Sequence, residues 1–130
     1  MDCMCSAGEG KLYIANKNKI ALAYVTNGQM SFGKTKAFSD DAKISVSTIK
    51  YTYLEDGDDT EEFLAIATTN FSLILMKDLK PVTTILNATS ALITQILCLT
   101  DNYCTLTFVT LSLDGQIRLF NEVGNLISQA

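Results

Sequence analysis

Histidine and tryptophan are absent from this chain of 130 residues, and its single arginine is Arg118. Without histidine, the sequence excludes Ser–His–Asp triads, Cys–His pairs and metal sites with imidazole ligands. No two carboxylates stand in a pattern that resembles a general acid and base on facing strands. These gaps predict a protein that is not an enzyme and that uses no cofactor.

Basic residues are too few and too scattered to form a nucleic-acid surface. Ten Lys and Arg oppose 14 Asp and Glu, which gives a net charge of −4. Because phosphate contacts need clustered Lys and Arg, nucleic acid is not expected among the partners.

A secretory signal and a membrane-spanning run are also missing from the pattern. Asp2 stands where a signal peptide needs positive charge. The uncharged stretch 81–100 is interrupted throughout by Thr, Ser, Asn and Gln, which a spanning helix avoids. The sequence therefore predicts a cytoplasmic protein with no membrane span.

The four cysteines are expected to be reduced thiols of an intracellular protein, and the apolar neighbours of the second pair predict that this pair is buried. They are Cys3, Cys5, Cys98 and Cys104. Zinc bound by four thiolates is the alternative, but structural zinc sites use cysteine pairs separated by two to four residues. Here the pairs are separated by one and by five residues, so no metal is predicted.

The chain does contain a strand–turn–strand pattern that occurs three times, at 12–22, 64–74 and 109–119. Ile14, Ile66 and Leu111 occupy one register of this pattern. Each copy places a residue that tolerates positive φ, or a turn-forming pair, between its two strands. The predicted turn residues are Asn18, Asn70, Asp114 and Gly115.

Further strand signals divide the chain into three units, approximately 1–40, 41–90 and 91–130. The signals are short runs of Val, Ile, Leu, Thr, Tyr and Phe bounded by Asn, Asp and Gly. They predict an all-β fold of three four-stranded antiparallel sheets. The predicted strands are 1–5, 11–17, 19–26 and 29–32 in the first unit, 45–54, 63–69, 71–78 and 81–86 in the second, and 93–101, 105–113, 116–121 and 125–129 in the third.

An acidic segment, 55–62, explains the uneven spacing of the units. Ile14 and Ile66 are 52 positions apart, and Ile66 and Leu111 are 45 apart. Removing eight residues makes the intervals nearly equal, which predicts a surface insertion that an Asn-Gly turn can replace. Mutual repulsion favours a mobile loop, and docking of a basic partner is the alternative. Its carboxylates are Glu55, Asp56, Asp58, Asp59, Glu61 and Glu62.

In 108–121 of the third unit, a run of small residues precedes an Asp-Gly turn and the strand Ile-Arg-Leu-Phe-Asn. This pattern resembles a blade of the WD40-like β-propeller superfamily. The pattern spans about 11–130, without the family's Gly-His and Trp-Asp pairs. The resemblance implies three propeller-like blades, part of a β-propeller. It also implies a non-catalytic scaffold that docks partner proteins within a larger assembly.

Three blades leave two open flanks, because propellers close with about four to eight blades. Open sheet edges template pairing with another chain. We therefore expect the edges near 1–5 and 125–130 to be covered by a second copy in a six-bladed ring, by another polypeptide, or by further sequence of a longer protein of which this chain is a fragment. The alternative is a small, monomeric β-barrel that binds an apolar ligand.

Overall fold

The structure is a computed structural model that describes residues 2–100 and 105–130, and its regular elements there are all strands. Strands form because β-branched, aromatic and leucine residues alternate between short Gly, Asn and Asp turns. The strands are β1 Cys3–Ser6, β2 Lys11–Asn16, β3 Lys19–Thr26, β4 Gln29–Ala37, β5 Val46–Asp56, β6 Asp59–Thr68, β7 Leu73–Lys77, β8 Lys80–Ile85, β9 Ile93–Thr100, β10 Leu106–Ser112, β11 Ile117–Asn121 and β12 Leu126–Gln129.

Consecutive strands pair antiparallel into three four-stranded sheets, β1–β4, β5–β8 and β9–β12. The predicted fold class is therefore confirmed. The alternative of one closed barrel is wrong, since each sheet holds only its own four strands within the described residues. The first strand of each sheet lies innermost, and β5 contacts both β1 and β9.

The central sheet β5–β8 is buried on both faces along its middle strands β6 and β7. Along β6, Leu64 and Ile66 point toward the first sheet, whereas Phe63, Ala65 and Ala67 point toward the third. This division follows from the two-residue period of a strand. It explains why β6 is continuously apolar from Phe63 to Ala67, as expected for a strand covered on both sides.

The acidic segment 55–62 is not a loop. It is the end of a β-hairpin, in which β5 runs to Asp56 and β6 starts at Asp59, with Gly57 left-handed at φ 63°. From Ile49 to its partner Ile66 the chain advances 17 positions, against 14 from Ile96 to its partner Thr110. The hairpin is thus only slightly longer than its counterpart. The extra length of the first interval lies mostly in the nine-residue β4 and in 38–45.

The repeat register is wrong by one residue in the third unit. Ile14 pairs with Ala21, and Ile66 with Ile74, whereas the corresponding pair in the third sheet is Thr110 with Arg118. A slip of one residue moves a side chain to the opposite face of a sheet. Leu111 therefore points away from the central sheet.

The β6–β7 and β10–β11 turns have one geometry. Thr68 N–H donates to Ser72 O at 2.9 Å, and Ser112 N–H donates to Gln116 O at 3.2 Å. The left-handed residues are Phe71, with φ 66°, and Gly115, with φ 78°.

Two asparagines predicted to take positive φ do not. In the β2–β3 turn the left-handed residue is Lys17, at φ 55°, and Asn18 instead donates its side-chain amide to Ser39 O at 2.7 Å. Asn70 accepts a hydrogen bond from Thr68 Oγ1, one position before Phe71. Both asparagines therefore brace their turns through side-chain hydrogen bonds.

Substitution of Gly115 by valine is expected to lower the free energy of unfolding by about 1–2 kcal/mol. A Cβ at Gly115 has no atom within 4 Å, so the cost is backbone strain alone. The matched control is Phe71→Gly at the equivalent position, which relieves the same strain and is expected to be neutral or stabilising. Urea denaturation measures both, and an unchanged midpoint for Gly115→Val would contradict the turn assignment.

Candidate docking surfaces

The third sheet leaves one apolar face uncovered, which we call the third-sheet face. Cross-strand pairing aligns Leu97 with Val109 and Leu119, and Gln95 with Leu111 and Ile117. The described residues of β9–β12 and their turns carry three charged side chains, Asp114, Arg118 and Glu122. An apolar, charge-poor surface of this kind is typical of the core of a protein interface. The face consists of Leu97, Leu99, Val109, Leu111, Ile117 and Leu119.

In the central sheet, the equivalent face is covered by a neighbouring sheet. Ala67 pairs with Leu73 beside the β6–β7 turn, and Leu111 pairs with Ile117 at the same place beside the β10–β11 turn. In the central sheet, Ala67 and Leu73 are buried against the third sheet. The third-sheet face is therefore equivalent to a surface that, one sheet earlier, packs against another sheet.

The first sheet has an open face of the other kind, which we call the first-sheet face. Cross-strand pairing aligns Met4 with Ile14 and Ala21, and Phe32 with Ala23. Phe32 is 67% exposed, and a depression of about 370 Å³ lies over Ile14 and Ala21. The equivalent pair in the central sheet, Ile66 and Ile74, packs against the first sheet. The first-sheet face consists of Met4, Leu12, Ile14, Ala21 and Phe32.

The acidic hairpin divides the six predicted partner-binding carboxylates. Four of them, Glu55, Asp58, Asp59 and Glu61, are exposed along the hairpin, and Asp56 pairs with Asp59 in the backbone register. Glu62 is different, because it accepts hydrogen bonds from Lys11 Nζ at 3.0 Å and from Tyr51 OH at 2.5 Å. It therefore links the central sheet to the first sheet.

Neither a family model nor a curated relative matches the chain, but solved structures do. A crystal structure of BBS1N in complex with ARL6DN, soaked with mercury, superposes with a TM-score of 0.72 at 12% identity, over 98% of this chain and 42% of that one. A second, soaked with lead, gives 0.63 at 10% identity, over 98% of this chain and 55% of that one. The three sheets are β-propeller blades. The chain thus spans about half the length of the propeller structures it matches.

A charged cleft of about 390 Å³ lies between the first and second blades, beside the acidic hairpin. Each of its lysines has a carboxylate partner: Lys11 pairs with Glu62, Lys77 with Glu61 at 3.2 Å, and the exposed Lys34 with Asp78 at 3.7 Å. Because every cation is balanced, the cleft offers no net positive charge to an anion. Its role in the fold is to align two neighbouring blades.

The electrostatics of this cleft centre on Glu62. Hydrogen bonds from Tyr51 and then from Lys11 lower the pKa of the Glu62 carboxyl below its ordinary value. Burial and the bond to Glu62 raise the pKa of Tyr51. For Lys11, burial acts to lower the pKa, but the bond to Glu62 and the charges of Tyr13, Glu62 and Tyr24 together outweigh it, and the net shift is upward. All three shifts favour a charged pair with a neutral phenol at neutral pH.

Glu62→Gln is expected to lower the free energy of unfolding by up to about 1 kcal/mol at pH 7, as for other partly exposed ion pairs. Since the folded pKa of Glu62 is lowered, its contribution is present above the unfolded value of 4.5 and is lost as the pH falls through the folded pKa. The difference from wild type should therefore shrink below about pH 4.5 in urea titrations. Asp58→Asn at the exposed hairpin end is the control and should change nothing at pH 7.

If the free energies of unfolding of Glu62→Gln and wild type differ by the same amount down to pH 3, the ion pair does not link the two blades as described. The link also revises the expected result of replacing 55–62 by Asn-Gly. That replacement removes Glu62 and shortens two strands, so it is now expected to destabilise the chain.

The described cysteines lie on the innermost strands, Cys3 and Cys5 on β1 and Cys98 on β9. Burial raises the pKa of Cys3 to about 11 and that of Cys98 to about 12, and it raises the pKa of Cys5 as well. These thiols are protonated at neutral pH, which makes them poor nucleophiles and poor ligands. Cys104 lies outside the described residues.

Two kinds of feature are not found among the described residues. No cluster of three or more His, Cys, Asp or Glu side chains is placed to hold a metal ion there. In the same residues, no helix has the length and apolar character needed to cross a membrane.

A polar network fixes the third blade, and sequence reasoning missed it. Arg118 is 8% exposed, and its guanidinium donates to Ser112 Oγ at 3.2 Å, to Asp114 Oδ2 at 3.3 Å and to Ser90 Oγ at 3.4 Å. Ser90 belongs to the connection between the second and third blades, and Asp114 to the β10–β11 turn. The network therefore anchors the blade that presents the third-sheet face. The signal in the sequence was the place of Arg118 opposite Thr110, on the buried face of the third blade. It could be recognised only with the corrected register.

Proposed function

We propose that this chain is a non-catalytic protein-interaction module, a WD40-like propeller segment that docks other protein chains through its first-sheet and third-sheet faces. One observation carries the proposal. The second blade has both faces covered by blades, whereas the equivalent surfaces of the first and third blades are apolar and open. Burial of apolar surface contributes about 25 cal/mol per Å² in favour of association, which is offset in part by the entropy lost on binding.

The composition supports the same function. The chain has no histidine for acid–base or nucleophilic catalysis, and its net charge of −4 disfavours nucleic acid as a partner. Protonated, half-buried thiols suit the reducing cytoplasm, where we place the protein. The propeller BBS1N was crystallised in complex with another protein, ARL6DN, which is further support for protein binding by this fold.

The acidic hairpin is a secondary docking element in this proposal. Glu55, Asp58 and Asp59 are exposed near its end. A ribbon of like charges at the surface attracts a basic segment and accelerates its association at low salt. Within the proposal, the hairpin steers a partner and the apolar faces hold it.

Site-specific photo-crosslinking tests the proposal. A benzophenone amino acid at Leu97, which is 49% exposed on the third-sheet face, is expected to form a discrete covalent adduct with protein in living cells. The control places the same group at Val82, which is 53% exposed on the outer strand of the second blade, and should give no adduct. Equal or absent adducts at the two positions would overturn the proposal, and mass spectrometry identifies the crosslinked protein.

A further inference from the structure

The two open faces are the two halves of one kind of interface. Through Leu111, the third-sheet face corresponds to the side of the second blade that meets the third blade. Through Ile14, the first-sheet face corresponds to the side of the second blade that meets the first. A third-sheet face is therefore built to receive a first-sheet face.

We infer that the occupant of the third-sheet face is the first-sheet face of a second copy of this chain, so that two copies form a six-bladed ring. The inference rests on the proposed function and names its partner. The contact is head-to-tail, and such contacts close into rings when the rotation between copies permits it. One copy matches 42–55% of the propeller chains it superposes on, so two copies supply about one complete propeller.

The side-chain volumes of the two faces complement each other. Leu111 stands where the second blade has Ala67, so the third-sheet face carries extra bulk at this point. On the first-sheet face, Ala21 stands where the second blade has Ile74, which leaves the depression of about 370 Å³ beside Ile14. Large residues opposite small ones are what close packing between sheets requires. The bulk missing from one face is present on the other.

The side chains that define the two faces are all uncharged. At the rim of the first-sheet depression lie Lys17 and Lys19, and Asp2 accepts a hydrogen bond from the Lys17 backbone N–H. In the third blade, Asp114 is paired with Arg118. A head-to-tail contact between the two faces therefore buries apolar side chains without leaving an unpaired charge inside it.

Light scattering with a pair of charge variants tests the inference. At micromolar concentration the wild-type chain is expected to have twice the chain mass of 14.2 kDa. Leu111→Glu and Ile14→Lys should each be monomeric, because each places two unpaired charges in the two interfaces of a ring. An equimolar mixture should regain the dimer mass, since one interface then joins the two introduced charges and the other is wild type. Val82→Glu, equally exposed but on neither face, should stay dimeric.

Each other outcome overturns the inference. A wild-type monomer at about 100 µM, or dimers that survive both charge variants, would show that the second copy does not occupy these faces. Ala21→Phe provides a variant without charge, which fills the depression and is expected to weaken the dimer at least tenfold while retaining the β-sheet circular dichroism spectrum. If the chain alone is monomeric and Leu97 crosslinks to a different protein, the inference fails and the proposed function stands. If Leu97 crosslinks to nothing, both fail.

Discussion

Truncation of Ile66 to alanine is expected to lower the free energy of unfolding by about 2–5 kcal/mol, the range for large-to-small changes in a packed core. Ile66 is fully buried in the second blade, in the cluster that includes Tyr13, Ile20 and Met76 of the first two blades. The substitution removes methyl groups and leaves a cavity where two blades meet. Urea denaturation at several protein concentrations measures the change.

Ile14→Ala is the matched control, since Ile14 occupies the same register position in the first blade. If the first-sheet face is uncovered, Ile14→Ala should lower the free energy of unfolding only slightly at every protein concentration. If a second chain covers this face, the loss should grow with protein concentration, because association adds to the stability of the folded state. An Ile66→Ala loss below about 1 kcal/mol would contradict the stacking of blades in chain order.

Arg118→Ala is expected to cost about 2–4 kcal/mol, because it leaves Ser112 and Ser90 without their donor and opens a cavity in the third blade. Arg118→Met keeps most of the side-chain volume and is expected to cost less, since Ile74 occupies the equivalent position of the second blade. Equal losses for the two variants would show that the arginine acts through its hydrogen bonds alone, with no contribution from packing. Differential scanning calorimetry compares their melting temperatures.

The pH dependence adds a second readout for the same network. A backbone N–H bond from Gln116 lowers the pKa of Asp114 most, followed by the bonds from Arg118 and Ser90. The contribution of Asp114 is therefore present above its unfolded pKa and is lost as the pH falls through the lower folded value. Without Arg118, the pKa of Asp114 is lowered less. The free energy of unfolding of Arg118→Ala is therefore expected to fall less between neutral and acidic pH than that of wild type.

The sequence predicted the strands better than their register. Short β-branched runs between Asn, Asp and Gly locate strands well, because turns of this kind have few solutions. They do not show which face a residue occupies, since one residue of difference in turn length inverts the assignment. The β2–β3 turn is shorter than the β6–β7 turn, and alignment by apolar identity matched Leu111 to Ile66 in place of Thr110.

The same limit applies to the acidic segment. Six carboxylates in eight residues suggest a solvated loop, and most of them are exposed. Glu62 is held by Lys11, which lies 51 residues away, and such a partner cannot be identified before the blades are stacked. The open faces were foreseeable from a count of three blades, whereas their complementary volumes depend on the register.

Carbene footprinting of the native protein tests the central claim most directly, namely that the third-sheet face is covered. The isolated chain exposes Leu97 and Ile117 about as much as Val82, at 49%, 48% and 53%. A photolysed diazirine reagent should therefore label all three residues alike if the face is open. We expect Leu97 and Ile117 to be labelled several-fold less than Val82 at micromolar concentration, and to become equal to it on dilution. Equal labelling at every concentration, alone and with cell extract, would contradict the claim.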